Sequence, residues 1–385
     1  MAENSKKPRI RFKGFTEAWE QRKFIDLLDF ERPDNYMVAD DHYENDGIPV
    51  LTANKAFVLG YKNENGAYNK GNCVIFDDFT LDSKFVDFPF KINSSAIKIL
   101  TAKHNNNLKF IYYLLSSSNI LMQGHARHYI SIVQPFVTSV PKIQEQNKIE
   151  CMISDLDNLI ALHQRKYDKL SNVKKALLEK MFPKNGKNTP EIRFKGFTEA
   201  WEQRKVQDIL IERNEQSPKS DEYPLMAFIA NEGVTQKGDR YDRSSLVNDV
   251  ENKNYKKTKK GDFIYSSNNL ETGSIGLNNY GNASISPVYS IFYPTELGDS
   301  GFIGQRLVRK DFINEMVKWR QGVVYGQWRI HESDFFKINI LVPIVDEQHK
   351  IGKFLESLDS LIALHQRECE KLKNVKKSLL EKMFV

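Results

Sequence analysis

Residues 141–182 read PKIQEQNKIECMISDLDNLIALHQRKYDKLSNVKKALLEKMF, and residues 343–384 repeat them as PIVDEQHKIGKFLESLDSLIALHQRECEKLKNVKKSLLEKMF. The two copies are identical at 26 of 42 aligned positions. After the first proline neither copy has another, Gly352 is the only glycine, and residues that lose little rotamer freedom in a helix predominate. Apolar side chains recur at steps of three and four residues from Ile149 to Met181. The repeat therefore predicts two long helices, each preceded by a proline.

A helix of this length spans about 60 Å, whereas the mean globular helix has about 11–12 residues. Such a helix needs a partner along its length, and the simplest partner for each copy is the other. Because a whole domain separates the copies in the chain, we expect an antiparallel pair with one domain near each end. The alternative is that each copy is a core helix of its own domain. The side chains expected in the helix pairing or in contacts with partner subunits are Leu156, Ile160, Leu170, Leu177, Leu358, Ile362, Leu372 and Leu379.

A second repeat precedes each variable region of the chain. Residues 8–23 read PRIRFKGFTEAWEQRK, and residues 190–205 differ from them only in having Glu191 where Arg9 stands. The chain is thus two copies of one unit, made of a short leader, a variable body and a long helix. The predicted boundaries are a leader at 1–20, a first body at 21–140, a central helix at 141–183, a linker with the second leader at 184–202, a second body at 203–342 and a C-terminal helix at 343–385.

The two bodies share only a skeleton of elements, which predicts a mixed α+β domain in each. Each has a Gly-led apolar strand, a later β-branched strand, a short apolar helix, a Gly-x-x-Arg segment and a strand-like run before the helix proline. In the first body these are residues 71–76, 96–100, 108–115, 124–127 and 131–140; in the second they are 261–265, 289–293, 312–319, 326–329 and 335–342. A constant frame that carries two divergent bodies is typical of a scaffold for two different recognition domains.

The charge of the bodies limits how they bind a polyanion. The chain has a net charge of +6, but residues 21–140 hold 12 Lys and Arg against 13 Asp and Glu, and residues 203–342 hold 19 against 18. Nonspecific binding to nucleic acid by charge alone is therefore expected to be weak, so local patches or a partner must supply the contacts.

Signatures of other functions are missing from the sequence. There is no GxGxxG for a dinucleotide, and the GDSG at residues 298–301 is too short to indicate a serine protease. The three scattered cysteines form no CxxC, and His125 and His128 have no further ligand nearby, so no metal site is predicted. No run reaches transmembrane length and no apolar signal region opens the chain, so we expect a cytoplasmic, non-catalytic protein.

The duplicated helix, the duplicated RFKGFTEAWEQRK leader and the start of each helix copy together resemble the specificity subunit of type I restriction-modification systems. The resemblance covers essentially the whole chain. It implies two target-recognition domains, separated by two long helices that form an antiparallel coiled coil, in a subunit of a host defence system. The shared Pro-x-x-x-Glu-Gln-x-x-Ile start comprises Pro141, Glu145, Gln146 and Ile149 in one copy and Pro343, Glu347, Gln348 and Ile351 in the other.

The resemblance also implies the partners of the chain. Double-stranded DNA would carry a bipartite target, and each domain would read one half-site. Two modification (methyltransferase) subunits would dock on the helices, and restriction (endonuclease/translocase) subunits would join through them. S-adenosylmethionine is expected on the modification subunit, which must take its target adenine out of the stack, and no cofactor is expected in this chain.

Candidate DNA contacts lie in the loops of the bodies. Arg127 and Arg329 occupy matching places in otherwise divergent bodies, so we expect them to anchor the DNA backbone while their neighbours face the bases or shape the loop. The alternative for each arginine is a surface ion pair, and for the serines and asparagines a turn. The full set of predicted DNA-binding residues is Thr52, Asn54, Lys55, His125, Arg127, His128, Tyr129, Asn231, Ser266, Ser267, Asn268, Asn269, Gln327, Trp328 and Arg329.

Two other functional classes are compatible with the residues. One is a coiled-coil adaptor that joins two proteins without reading DNA. The other is a DNA-processing enzyme whose active site has no recognised motif. DNA binding with candidate methyltransferase subunits would separate the adaptor from a DNA reader, and methyl transfer by the chain alone would favour the enzyme.

Overall fold

The computed structural model describes residues 7–54, 56–124, 126–184, 186–236, 253–323 and 327–384. The chain forms two compact units: unit 1 consists of residues 1–165 and 366–385, and unit 2 of residues 166–365. Each long helix therefore contributes one segment to each unit. None of the helices among the described residues is long and apolar enough to cross a membrane.

The first half of the chain consists of short strands, two short helices and one long helix. In chain order they are β1 (Glu20–Lys23), α1 (Phe24–Leu27), β2 (Leu28–Glu31), β3 (Ile48–Leu51), β4 (Val58–Lys62), β5 (Cys73–Asp77), β6 (Ser83–Val86), β7 (Lys91–Ile92), β8 (Ile97–Ala102), α2 (Leu108–Ser117), β9 (Val137–Val140) and α3 (Ile143–Lys180).

The second half repeats this plan with more strands and helices. In chain order they are β10 (Glu202–Lys205), α4 (Val206–Ile209), β11 (Leu210–Glu212), β12 (Gln216–Ser217), β13 (Ala227–Ile229), β14 (Gly233–Thr235), β15 (Tyr255–Thr258), β16 (Phe263–Tyr265), β17 (Ile275–Leu277), β18 (Ala283–Ile285), β19 (Ser290–Pro294), α5 (Ser300–Leu307), α6 (Lys310–Val317), β20 (Gln321–Val323), β21 (Gln327–Arg329), α7 (Glu332–Phe335), β22 (Asn339–Val342) and α8 (Val345–Met383).

Each unit is built on a four-stranded antiparallel sheet. The strand order is β2-β8-β5-β6 in unit 1 and β11-β19-β16-β17 in unit 2. The predicted Gly-led and β-branched strands are β5 and β8 in one unit and β16 and β19 in the other, and they pair directly in both. A three-stranded sheet completes each body, with order β4-β3-β7 in unit 1 and β12-β15-β18 in unit 2.

The repeated leader is fastened to the start of a long helix in each unit. In unit 1, β1 pairs with β9, and Arg11 donates two hydrogen bonds of 2.7 and 2.8 Å to the buried Glu145 carboxylate. In unit 2, Arg193 makes the same paired contact with the buried Glu347, at 2.7 Å to each oxygen. Hydrogen bonding to Glu145 raises the pKa of the Arg11 guanidinium, and bonding to Glu347 raises that of Arg193.

The glutamine beside each glutamate ties the helix to the body. Gln146 Oε1 accepts from the backbone N–H of Asn107 at 3.0 Å, and its Nε2 donates to the Pro141 carbonyl at 2.9 Å. Gln348 repeats both contacts, with the N–H of Asp299 at 3.0 Å and the Pro343 carbonyl at 2.9 Å. The Pro-x-x-x-Glu-Gln pattern thus joins leader, body and helix at one point.

These contacts correct the predicted correspondence between the short helices. Asn107 is the N-cap of α2 and accepts from the N–H of Phe110, while Asp299 is the N-cap of α5 and accepts from the N–H of Phe302. Helix α2 therefore corresponds to α5, and the helix predicted at residues 312–319, observed as α6, is an addition of unit 2. The sequence comparison failed here because α5 contains Gly301 and Gly304, which weaken its helical pattern.

The strand-like runs predicted before each helix proline are only partly strands. Within residues 131–140 only β9 is extended, and the preceding Tyr129–Val133 forms a π-helical turn. Within residues 335–342 only β22 is extended, and it follows the end of α7.

The two long helix segments run antiparallel within each unit. In unit 1, Lys376 Nζ lies 2.6 Å from Asp157 Oδ1, and Cys369, further back along α8, contacts Gln164, further along α3. In unit 2, Lys174 Nζ binds Asp359 Oδ1. Asp359 is the repeat counterpart of Asp157, and Lys174 that of Lys376, so the same contact recurs with the helices exchanged.

Candidate nucleic-acid interface

Unit 2 presents an exposed two-stranded ribbon. Strands β20 and β21 pair antiparallel, with Gln321 opposite Arg329 and Val323 opposite Gln327, and every residue in both strands is exposed. Trp328 leaves 48% of its surface exposed. A two-stranded ribbon is one of the elements that fit the major groove of B-DNA.

A loop of the body holds this ribbon in place. Asn268 Oδ1 accepts from the backbone N–H of Trp328 at 2.6 Å, and Ser267 Oγ accepts from the N–H of Ile330 at 3.0 Å. The structure therefore brings together five predicted residues, Ser267, Asn268, Gln327, Trp328 and Arg329. Ser267 and Asn268 act here as anchors of the ribbon, because their side chains bind its backbone.

Arg329 is available for a partner. Its nearest carboxylate is Glu332, at 3.5 Å from Nη2, and more than half of the arginine side chain is exposed. Burial alone would raise the pKa of Glu332, but its own backbone N–H, the hydroxyl of Ser290 and the nearby cations lower it overall. Glu332 therefore stays ionised and pairs with Arg329 without enclosing it.

The other predicted residues of unit 2 differ in exposure. Ser266 is buried, and its N–H and carbonyl both bond within the turn that follows β16; its assignment as a DNA contact stays a prediction. Asn269 is exposed in the same turn. Asn231 is exposed in the left-handed region at φ 63°, and its N–H donates to the carbonyl of Gly273. Asn231 and Asn269 stay predictions as DNA contacts.

In unit 1, Arg127 is exposed on a loop that buried residues hold. Its guanidinium lies 5.8 Å from the centre of the Phe79 ring, which is itself exposed. His128 is fully buried: its Nε2 accepts from the N–H of Gln123 at 3.0 Å, which leaves Nδ1 to donate to the carbonyl of Asp78 at 3.1 Å. The imidazole thus closes the loop that carries Arg127.

Three residues predicted to contact DNA in unit 1 are buried. Tyr129 packs against Phe30 and Phe76 in the core, and burial raises the pKa of its hydroxyl. Both side chains therefore position the loop in this structure, and a role of His128 and Tyr129 in DNA contact stays a prediction. Thr52 is also buried, and its hydroxyl donates to Asn54 Oδ1 at 3.0 Å.

The remaining predictions in unit 1 concern the loop after β3. Asn54 is exposed, and its amide donates to Asp77 at 2.9 Å, so it links this loop to the end of β5. Lys55 and His125 lie outside the described residues. The sequence analysis missed two exposed apolar side chains before Arg127, namely Leu121 (79% exposed) and Met122. The sequence could have indicated them, because the apolar pair in the run Leu-Met-Gln-Gly fits neither the period of a buried strand nor that of a helix.

The side chains predicted for helix and subunit contacts are mostly turned inward. Leu358 is buried, and Leu170 and Leu177 pack against the core of unit 2, while Leu379 packs against the core of unit 1. Leu156, Ile160, Ile362 and Leu372 are half-buried.

A second set of apolar side chains on the long helices is exposed. In unit 1 these are Leu159, Leu162 and Val375, and in unit 2 they are Leu361, Leu364 and Val173. The repeat places the two sets in one-to-one correspondence, and all six belong to segments that are identical in both copies. The sequence could have indicated these residues by their identity in the two copies, because neither core requires an exposed leucine to be conserved between the repeats.

No cluster of three or more His, Cys, Asp or Glu side chains able to hold a metal occurs among the residues that the structure describes. The predicted lack of a metal site and of a cofactor in this chain stays a prediction.

Comparison with known proteins places both halves of the chain in one family model. The model described as the type I restriction modification DNA specificity domain matches residues 16–172 and 198–374. The Escherichia coli type I restriction enzyme EcoR124I/EcoR124II specificity subunit is 44% identical over 114 residues, which cover 28% of this chain and 28% of that relative's length. The type I restriction enzyme MjaVIII specificity subunit of Methanocaldococcus jannaschii is 23% identical over 398 residues, covering 96% of this chain and 90% of the relative.

A solved structure shares the fold. The S subunit of a type I restriction-modification system from M. genitalium superposes with a TM-score of 0.63 at 15% identity, covering 98% of this chain and 99% of that one. The likeness confirms the predicted fold class, an internally repeated pair of mixed α+β domains with two long helices.

Proposed function

Because the chain belongs to the family of type I restriction modification DNA specificity domains, we propose that it is the DNA-recognition subunit of a type I restriction-modification complex. The observation that carries this function is the family match to both copies of the repeat. The chain holds two recognition bodies on one repeated frame, and each body reads one half of a bipartite target. Catalysis belongs to its partner subunits.

The exposed residues of each body suggest how a half-site is read. In unit 2, Arg329 pairs with Glu332 but is more than half exposed, so it can bind phosphate or a guanine edge, and Gln327 and Trp328 project from the same strand. In unit 1, Arg127 stands beside Phe79. Since the two arginines occupy matching places in bodies that read different sequences, they anchor the DNA backbone, and the side chains that differ between the bodies discriminate the bases.

The partners follow from the same assignment. Two modification subunits dock on the exposed apolar residues of the long helices, and restriction subunits join the complex through them. Residues that are exposed, apolar and identical in both copies fit two equivalent partners, and burying each leucine contributes about 1.5–3 kcal/mol. S-adenosylmethionine is bound by the modification subunits.

The readout is tested with Arg127→Ala and Arg329→Ala in the complex with modification subunits. Losing one phosphate contact lowers affinity for all sequences and reduces the slope of log K against log salt by about one unit. The measurement is a salt titration of binding to cognate DNA and to DNA with single mismatches. An unchanged slope, with about 1–3 kcal/mol of discrimination lost at one base pair, would instead assign the arginine to base recognition.

Docking is tested with Leu159→Asp combined with Leu361→Asp. Both side chains are exposed, so the chain folds normally but loses the modification subunits in size-exclusion chromatography. A complex that forms as in the wild type would contradict the docking face. The control pair is Lys175→Glu with Glu356→Lys, which changes charge at exposed positions of the same helices but on another side of each helix from the apolar face.

A further inference from the structure

Unit 1 has an open groove between the end of α2, strand β9 and the end of α8, with a volume of about 950 Å³. Its lining includes the apolar side chains of Val137, Ile160, Leu380 and Phe384. Polar and charged residues line the rest, among them Asp157, Glu381 and the lysines Lys373, Lys376 and Lys377. Val137 is 51% exposed, and Phe384 is only partly buried. The groove therefore leaves part of Val137 and of the Phe384 ring exposed to water.

The corresponding place in unit 2 is filled by the chain itself. Arg309 follows α5 with extended backbone, and its Nη1 donates to the carbonyl of Leu178 near the end of α3. The same guanidinium lies 4.7 Å from the centre of the Phe182 ring, which is only 1% exposed. The repeat equates Leu178 with Leu380 and Phe182 with Phe384.

Where the structure describes unit 1, no arginine takes the place of Arg309. Its α2 ends at Ser117, and Ser118 takes the extended conformation that Arg309 has after α5. Neither Ser117 nor Ser118 carries a guanidinium, and Leu380 and Phe384 line the open groove. The Leu380 carbonyl accepts from the N–H of Phe384 at 3.3 Å, and its second lone pair can accept from another donor.

We propose that the groove of unit 1 receives an arginine side chain from a modification subunit. This inference rests on the proposed function, which supplies the partner. A guanidinium there donates to the Leu380 carbonyl and stacks on the Phe384 ring, as Arg309 does in unit 2. The end of α8 adds the partial negative charge of a helix C-terminus. Asp157, on the groove wall, is paired with Lys376, as its counterpart Asp359 is with Lys174 beside the filled groove.

The groove also adjoins the face on which the modification subunits dock. Ile160 in the groove follows the exposed Leu159 on α3, and Lys376 in the groove follows the exposed Val375 on α8. A partner seated on the exposed leucine and valine therefore lies beside the groove on the same two helices. The two docking sites differ in this respect, because unit 2 has already filled its groove.

The test is Ser118→Arg, which supplies the missing guanidinium from the chain itself, with Ser118→Lys as the control of equal charge. Ser118→Arg weakens binding of modification subunits at least about tenfold, as expected for a lost guanidinium contact, while Ser118→Lys weakens it less than about threefold. The thermal midpoint of Ser118→Arg is no lower than that of the wild type. Equal binding by Ser118→Arg and the wild type, or equal losses in the two variants, overturns the inference.

A second measurement keeps this outcome separate from the proposed function. Acetyl-arginine methylamide is titrated into the full chain with methyl-labelled leucines, and we expect saturable shifts of Leu114 and Leu380 in the wild type but not in Ser118→Arg. Acetyl-lysine methylamide causes none. If the wild type binds no modification subunit at all, the proposed function fails with the inference; if it binds but the arginine probe shifts nothing, only the inference fails. Shifts that require deletion of residues 1–6 would make that segment the occupant instead.

Discussion

Units 1 and 2 use the same contacts to hold the long helices and different contacts to hold the loops of their bodies. Arg11 and Arg193 bind Glu145 and Glu347 with nearly equal distances. The loop with Arg127, however, is closed by a buried histidine, whereas the ribbon with Arg329 is held by side chains of a neighbouring loop. Because the frame contacts lie outside the loops, a body can change its exposed residues without disturbing the helices.

The helices α2 and α5 show how far the bodies diverge even beside the frame. In unit 2, Gly301 of α5 packs directly against Gly352 of α8, so the two backbones lie in contact. In unit 1 the corresponding positions are Lys109 and Glu150, whose charged groups are 4.0 Å apart. The same helix pair is thus held by backbone packing in one unit and by longer side chains in the other.

The largest effect is expected from breaking the shared clamp with Arg193→Met. Glu347 is fully buried, and removing its partner leaves an unpaired charge that costs about 3–5 kcal/mol. Arg11→Met in unit 1 should lower the free energy of unfolding by the same amount. The free energy of unfolding of each variant is measured in urea, with Arg22→Met as the control because its pair with Glu20 is exposed. A loss below about 1 kcal/mol for Arg193→Met would show that the clamp does not hold the helix.

The next largest effect distinguishes the α5–α8 contact of unit 2 from the α2–α3 contact of unit 1. A Cβ on Gly352 would lie 2.7 Å from the backbone nitrogen of Phe302, so Gly352→Ala forces α5 away from α8 and costs about 1–3 kcal/mol. Glu150→Ala, at the corresponding position of unit 1, only shortens a side chain and costs less than about 1 kcal/mol. Urea unfolding of the two variants measures the difference, and equal losses would contradict backbone packing as its cause.

Sequence alone predicted the frame well because its physical signals are local or repeated. The helical period and the lack of proline predicted α3 and α8 to within a few residues. The pairing of Glu145 with Arg11 was not predicted, although both residues lie in repeats that the sequence showed, because a contact across 134 positions of the chain leaves no local pattern.

The candidate site was predicted less well because burial depends on tertiary contacts. His128 and Arg127 are neighbours in a polar loop, yet one is buried against Asp78 and the other is exposed. Nothing in the sequence distinguishes them. For the same reason, the predicted helix and subunit contacts include Leu156, which is half-buried, and omit Leu159, which is exposed.

A third prediction uses this pair of neighbours to sharpen the comparison of the loops. His128→Phe leaves the Gln123 N–H and the Asp78 carbonyl without their side-chain partner and costs about 1–3 kcal/mol in the free energy of unfolding. It leaves the salt dependence of DNA binding unchanged, because the imidazole is buried. Arg127→Ala has the opposite result, with normal stability and a smaller salt slope. A reduced slope for His128→Phe in protein that stays folded would place the imidazole on the DNA.

The smallest effect concerns Glu212, a half-buried carboxylate of unit 2 that lies near Arg329. Glu212 in β11 occupies the place that Phe30 has in β2 of unit 1. Burial raises the pKa of Glu212, and the charge of Glu332 raises it further, while Lys256 and Arg329 oppose the change. A carboxyl whose pKa is raised on folding contributes stability below its ordinary pKa and loses that contribution as the pH rises through the folded value.

Glu212→Gln should therefore make the protein more stable at pH 7.5, where the wild type carries the unfavourable charge, and should change little at pH 4. The gain is below about 0.5 kcal/mol, because the side chain is only partly buried and solvent screens it. Thermal midpoints of the wild type and the variant at the two pH values measure it, with the exposed Glu215→Gln as the control. A variant that loses stability at pH 7.5 would mean that Lys256 and Arg329 outweigh burial and Glu332, and that the ionised Glu212 helps to hold the ribbon.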